Sequence, residues 1–186
     1  PMKYPLFLLY IAVLSCSYCR AQQTALRTNL LLWSTTTPNA GVEFGMGRHF
    51  SFGLTGAYNA WKFSNSMKLN LYFAQPELRY WPCRSFEGHF IGIHGHYGHY
   101  NVGRFPFVAS MKDLIYRGDL YGGGISYGYH WALGLRWGLE VSVGAGYARM
   151  EYDKYRCVEC GELEGSYRRN YFGPTRADFS LIYFIR

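Results

Sequence analysis

Residues 120–152 read LYGGGISYGYHWALGLRWGLEVSVGAGYARMEY, two runs that alternate with period two around a short turn at Gly134, Leu135 and Arg136. In the first run Tyr121, Gly123, Ile125, Tyr127, Tyr129, Trp131 and Leu133 share one face, and Gly122, Gly124, Ser126, Gly128, His130 and Ala132 share the other. In the second, Leu139, Val141, Val143, Ala145 and Tyr147 oppose Gly138, Glu140, Ser142, Gly144, Gly146 and Ala148. A soluble hairpin buries its bulky face and gives water a charged one. Here the second face is small and polar, which suits the crowded interior of a narrow barrel whose greasy outside meets lipid.

Composition points the same way. Aromatic residues make up 19% of the 186 residues, with 18 Tyr and 22 Gly, while charged residues reach only 17%, below the roughly 25% of soluble domains. The mean hydropathy of -0.15 opposes a helical membrane protein, because a barrel dilutes its lipid face with lumen residues. Past the N-terminal segment no stretch offers the roughly 18 consecutive apolar residues of a spanning helix. The net charge of +7 is scattered over Arg48, Lys62, Arg84, Arg104, Lys112, Arg117 and Arg136, with no nucleic-acid motif. Anionic headgroups, including lipopolysaccharide phosphates, are its expected partner, and nucleic acid is not.

The N-terminus reads as a secretory signal over residues 1–21: basic Lys3, an apolar run from Leu6 to Leu14, then small residues to Ala21. A lipoprotein acylated at Cys16 is the competing reading. Residues 22–186 then divide into eight strand-like runs. These are Leu26 to Thr35, Ala40 to Gly47, Phe50 to Lys62, Leu69 to Trp81, His89 to Asn101, the two arms of the hairpin, and a final run from Arg176 to Ile185. Thr36 to Asn39, Arg48 with His49, and Cys83 to Gly88 read as turns. Val102 to Asp119 and Asp153 to Gly173 read as long loops. In Leu69 to Trp81 the parity is broken, because Leu71 and Phe73 fall with Gln75, Glu77 and Arg79; a bulge or an aromatic lumen end accounts for it. The expected fold is an all-β, eight-stranded antiparallel up-and-down transmembrane barrel in an outer membrane, with short periplasmic turns and long outer loops. Trp33, Trp61, Trp81, Trp131, Trp137, Tyr152 and Tyr183 would supply its interfacial girdles.

The runs Arg27-Thr-Asn-Leu-Leu, Thr35-Thr-Thr-Pro-Asn39, Gly41-Val-Glu-Phe-Gly45 and Gln75-Pro-Glu-Leu-Arg-Tyr-Trp81, with the Gly-rich hairpin, resemble a Bacteroidetes family catalogued only as a domain of unknown function. The resemblance covers nearly the whole chain past the signal. It implies a small outer-membrane barrel encoded near fimbrial genes, a link to fimbrial or other surface proteins, and no catalytic residues to carry over.

Inward parity gathers Arg27, Glu43, Glu77, Arg79, Glu140, Arg176 and Asp178, an ion-pair network expected to plug a lumen just wide enough for its side chains. His94 and His96 point the same way and could bind zinc or copper with His130 or Glu140. No metal spacing is present, so they read as lumen filler and no metal or cofactor is expected. Cys157 and Cys160 form a C-x-x-C whose oxidation in a secreted loop gives a disulfide, with free thiols or a metal as the other readings. Arg104, Phe105, Phe107, Tyr116 and Arg117 form a docking loop for protein or glycan, or a loop resting at headgroup level. The expected role is non-enzymatic, structural or surface-binding. The alternative is a lipid A modifying enzyme, for which His99 has outward parity but no serine and carboxylate visibly beside it.

Overall fold

The computed structural model describes residues 23–63, 67–103, 115–155 and 163–185. Eight strands follow one another as an antiparallel ring: β1 Thr24–Asn29, β2 Asn39–Met46, β3 Phe50–Phe63, β4 Met67–Tyr80, β5 Gly88–Gly103, β6 Ile115–Ala132, β7 Trp137–Tyr155 and β8 Leu163–Ile185. Each pairs with its neighbour in sequence, and β1 pairs with β8 from Thr24 with Ile185 to Asn29 with Ser180, which closes the ring. The all-β, up-and-down, eight-stranded architecture is therefore as the alternation implies. Phases hold strand by strand: Ile91, Ile93, Ile125, Tyr127 and Val143 are exposed outside, while His94, Ser126, Glu140 and Ser142 are buried inside.

Several elements differ from the sequence reading. The first run stops being a strand at Asn29, and residues Leu30–Ser34 form a one-turn helix, α1. The Asn29 side chain accepts from the Leu31 amide, and this cap competes with continuation of the ladder. Thr36, at a φ of 56°, turns the chain back. Asn39 is not a turn residue but the buried first residue of β2; its amide donates to the Asn29 carbonyl at 2.9 Å, and its Oδ1 accepts from the Asn29 N–H at 2.7 Å.

The broken parity of β4 is not a bulge. Its register with β3 runs without interruption from Phe50 opposite Tyr80 to Phe63 opposite Met67, so Leu71 and Phe73 face the interior. A register shift falls instead in β8, between the pairs Gly144 with Arg176 and Ala145 with Pro174. The two long loops are shorter than expected. Strands β7 and β8 continue through Tyr155 and from Leu163, and β5 and β6 through Gly103 and from Ile115. Their added ends carry polar residues on both faces, which reads as loop when hydrophobic alternation is the signal.

Two of the expected girdle aromatics lie inside. Trp81 is fully buried against Phe86 and Phe90, with ring centroids 5.7 and 4.8 Å away, and Tyr152 has inward parity, stacked on Tyr167. Trp33 sits on α1, and the Trp61 side chain lies outside the described residues. Trp131 and Trp137 do face outward, with Trp137 packed edge-on to Tyr183.

Strand lengths are uneven. β1 and β2 are short, whereas β3 to β8 run on past them, so the ring closes only around its lower part. Above it, among the described residues, six strands continue as an open crest.

Candidate functional site: the charged interior

The lumen is built from one inward side chain of every second residue, and glycines make the room. At Gly92 a Cβ would lie 2.7 Å from Glu77 Oε1 and 2.5 Å from Ser126 Oγ; at Gly41 it would lie 2.8 Å from Arg27 Cγ. The abundance of glycine opposite charged residues thus has a steric cause.

All seven residues of the expected network come together. Arg79, on β4, donates from Nε to Glu77 Oε2 at 2.6 Å and from Nη1 to Glu43 Oε2 at 2.9 Å. Its two terminal nitrogens also reach both oxygens of Glu140, at 2.9 and 3.0 Å. Arg27 reaches Glu140 at 2.8 Å and Glu43 at 3.3 Å. Arg176 pairs with Glu77 at 2.8 Å and with Asp178. Three guanidinium groups therefore face four carboxylates with almost no exposure; Glu140 is held by Arg27 and Arg79, and each of the other three carboxylates finds a further donor. Ser51 donates to Glu43 at 2.6 Å, Ser126 to Glu77 at 2.5 Å, Ser142 to Asp178 at 3.2 Å, and Asn29 to Asp178 at 2.5 Å. A buried charge network persists only when its members are satisfied in this way.

Below the ions lies an apolar floor of Ala25, Trp81, Phe86, Phe90 and Ile182, with Phe184 against it. Arg79 links the layers, its guanidinium carbon 4.3 Å from the Phe90 ring centre. Trp81 Nε1 donates to Ser51 Oγ at 2.8 Å, so the aromatic floor also orients a serine that holds Glu43.

Some contributors escaped the sequence reading. Ser51, Ser126 and Ser142 have inward parity and were findable as partners. Phe86, in the β4–β5 turn at a φ of 66°, folds back into the lumen mouth with no periodic signal. The Asn29–Asn39 clasp likewise joins residues that alternation cannot pair.

The histidines separate. His94 bonds Thr175 at 3.0 Å and lies 5.9 Å from the His96 ring. His130 sits at the other end of the network, 4.0 Å from Glu140. No group of three His, Cys, Asp or Glu suited to a metal occurs among the described residues. His89 stacks outside on Tyr127. His99 has a carboxylate beside it after all, Asp119 at 2.9 Å, which also accepts from Tyr97. Cys157, Cys160, Arg104, Phe105 and Phe107 lie outside the described residues; Arg117 is exposed on β6, and Tyr116 precedes it in the strand.

An eight-stranded ring with an ionic interior and an apolar exterior is the class that fold and lumen define. The chain belongs to the family described as protein of unknown function (DUF3575), whose model matches residues 6–185. No curated protein and no solved structure matches it.

Proposed function

We propose that this chain is a non-enzymatic outer-membrane β-barrel with a plugged lumen, which presents a β-crest at the cell surface for structural or adhesive contacts, fimbrial proteins among them. The observation that carries this reading is the inverted polarity of the wall. Outside, Ile93, Ile125 and Val143 are 59, 65 and 60% exposed; inside, Arg79 and Glu140 are 0% exposed. Water does not reward such an exterior, and a bilayer does.

The band has the right height. On β7 it runs from Trp137 to Tyr147 before Arg149 and Glu151 take over, matching the roughly nine to eleven residues of a tilted spanning strand. Its upper border is a row of tyrosines, Tyr58, Tyr72, Tyr97, Tyr121 and Tyr147, each 40% exposed or more. Three of their hydroxyls donate upward, Tyr97 to Asp119, Tyr121 to Glu151 and Tyr147 to Asn170. An apolar ring with a wet hydroxyl suits a membrane interface. The short connections after β2 and β6 lie at the end that also holds both chain termini of the ring, the periplasmic side in this reading.

Expression with its own leader in a Gram-negative host tests the proposal. The protein should resist alkaline extraction from the outer-membrane fraction and migrate differently on gels before and after boiling. A soluble periplasmic product would overturn it.

The second reading, a lipid A modifying enzyme, draws on the His99–Asp119 pair. Ser166 borders the same polar depression, but it bonds Asp153 of β7 at 2.5 Å and lies on β8, three strands from His99. That is roughly 14 Å at about 4.8 Å per strand, too far for attack. Unchanged lipid A on expression is the expected result; an altered acylation pattern lost in His99→Ala would reinstate the enzyme.

A further inference from the structure

Along most of its length β8 pairs on one side only. β1 covers its other side from Thr24 with Ile185 to Asn29 with Ser180. The Asn29 side chain extends that cover one step, accepting from the Phe179 N–H and donating to the Ala177 carbonyl. β1 then gives way to α1, while β8 continues up to Leu163 against β7 alone. Among the described residues no strand takes the vacated place, and β3, beyond the short β2, does not pair with β8.

Phase shows which main-chain groups lie bare. Ala177 and Phe179 have outward parity and bond towards β1. The register shift between Pro174 and Arg176 adds Thr175 on the inward side, where it bonds His94, so outward residues keep the same main-chain direction across it. Phe172, Asn170, Arg168 and Ser166 are register partners of Tyr147, Arg149, Glu151 and Asp153, and they therefore aim their N–H and C=O groups at the vacant side. Pro174 stands in the same phase, where its missing N–H costs the β7 ladder nothing.

A row of bare main-chain donors and acceptors is a template for another extended main chain. Charge narrows the choice. Residues 165–174 carry Arg168 and Arg169, both exposed, and no acidic residue; Arg168, 3.5 Å from Glu151, keeps 75% of its side chain exposed. Carboxylates opposite these arginines favour pairing, and further cations oppose it. Geometry opposes a second copy of the chain. Two barrels upright in one membrane, with strands tilted by about 35–45°, bring their β8 edges together at a crossing of roughly 70–90°, at which no ladder forms.

We infer that the β8 edge over residues 166–172 binds an extended, acidic strand of a surface protein, which joins the crest by main-chain pairing in the place that β1 vacates. The inference rests on the reading of the crest as a contact surface and names the chemistry of its partner.

The test uses the full-length barrel in dodecyl maltoside and a fluorescein-labelled peptide of alternating Thr and Glu, about eight residues long, followed by anisotropy and amide hydrogen exchange. Binding should slow exchange at residues 166–172 and nowhere else on the wall. The same peptide with alternate amides N-methylated keeps its charge and loses its ladder, whereas a Thr-Lys peptide keeps the ladder and reverses the charge. Each should bind at least about tenfold more weakly. Asn170→Pro removes one free-side N–H without touching the β7 ladder, and should weaken binding by a similar factor while heat-modifiable migration is retained. If that variant does not fold, Arg168→Glu with Arg169→Glu should shift the preference to the Thr-Lys peptide. Absence of Thr-Glu peptide binding, or equal binding of its N-methylated form, would overturn the inference, as would a dimer that Asn170→Pro disperses. Pairing with the purified protein does not depend on where the chain resides, so a chain that stays soluble without detergent would instead refute the outer-membrane reading.

Discussion

Arg79 and Glu140 meet across the lumen through two parallel hydrogen bonds, Nη1 to Oε2 at 2.9 Å and Nη2 to Oε1 at 3.0 Å, from strands β4 and β7. A bidentate fork fixes direction as well as distance. Since Arg79 also holds Glu43 and Glu77, one side chain ties together carboxylates from β2, β4 and β7, elements that the backbone ladder joins only the long way round.

Replacing Arg79 with Met should therefore be among the most costly single changes. It removes the shared cation and leaves Glu43, Glu77 and Glu140 to Arg27 and Arg176, a loss of about 3–5 kcal/mol for a broken buried pair. Urea titration in detergent micelles, followed by the heat-modifiable band, measures it. The exposed Arg84–Glu87 contact at 3.9 Å is the control, and Arg84→Ala should shift the midpoint by less than about 0.5 kcal/mol. Equal effects from both variants would show that the network adds no net stability.

A lumen filled by these ions and floored by Trp81, Phe86 and Phe90 should not conduct. Purified protein in a planar bilayer should give no stepwise currents under voltages of either sign. Steady open channels in the wild type would contradict a plugged interior.

How far the sequence reveals this arrangement depends on what each residue needs from its neighbours. Alternation is local, so Ile125 outside and Ser126 inside are legible from their own run, and the parity of Arg27, Glu77 and Asp178 suffices to bring them into one lumen. Asn29 is different: its side chain caps α1, receives a bond from the Leu31 amide and donates to Asp178, 149 residues away, and no periodicity encodes such a junction. Trp81 looks like a girdle residue because aromatics end strands on both faces, yet it shares the inward parity of Glu77 and Arg79, and the Ser51 hydroxyl and the Phe90 ring hold it inside. The crest ends of β5 to β8 read as loops for a similar reason, since above the tyrosine row both faces are polar and the alternation fades.

The register pair Gly124–Gly146 offers a sharper test of the backbone. A Cβ on Gly124 would lie 2.3 Å from the Ala145 carbonyl oxygen, and one on Gly146 would lie 2.3 Å from that of Gly123. Neither obstacle is a movable side chain. Gly124→Val should abolish the folded band, whereas Gly56→Ala, with open space at its Cβ, should leave it unchanged. Normal folding of Gly124→Val would refute this strand approach.

Because β7 and β8 pair up to Lys154 with Gly165 and Tyr155 with Leu163, removing everything from Asp153 to Gly173 would destroy strands and confuse misfolding with lost docking. Deleting residues 156–162 and joining the ends through a short Gly-Ser linker isolates the connection. If the crest tip recruits a surface partner, crosslinking and pulldown from native cells should recover that protein with the intact chain and not with the deletion. Recovery of the same protein by both would move the contact elsewhere on the crest.

A single thiol tests the orientation. Cys83 is exposed in the β4–β5 turn, beside the buried Phe86 that anchors this turn to the lumen mouth, at the end of the ring that also holds residues Thr24 and Ile185. If that end faces the periplasm, a membrane-impermeant maleimide cannot reach it from outside an intact cell. In a Cys157→Ser, Cys160→Ser background, labelling should be negligible on whole cells and become near-complete once the outer membrane is permeabilised. Substituting cysteine for the exposed Arg117, on the crest, in a further Cys83→Ser background should reverse the pattern and label on whole cells. Efficient labelling of Cys83 from outside would invert the barrel and place the crest on the periplasmic side.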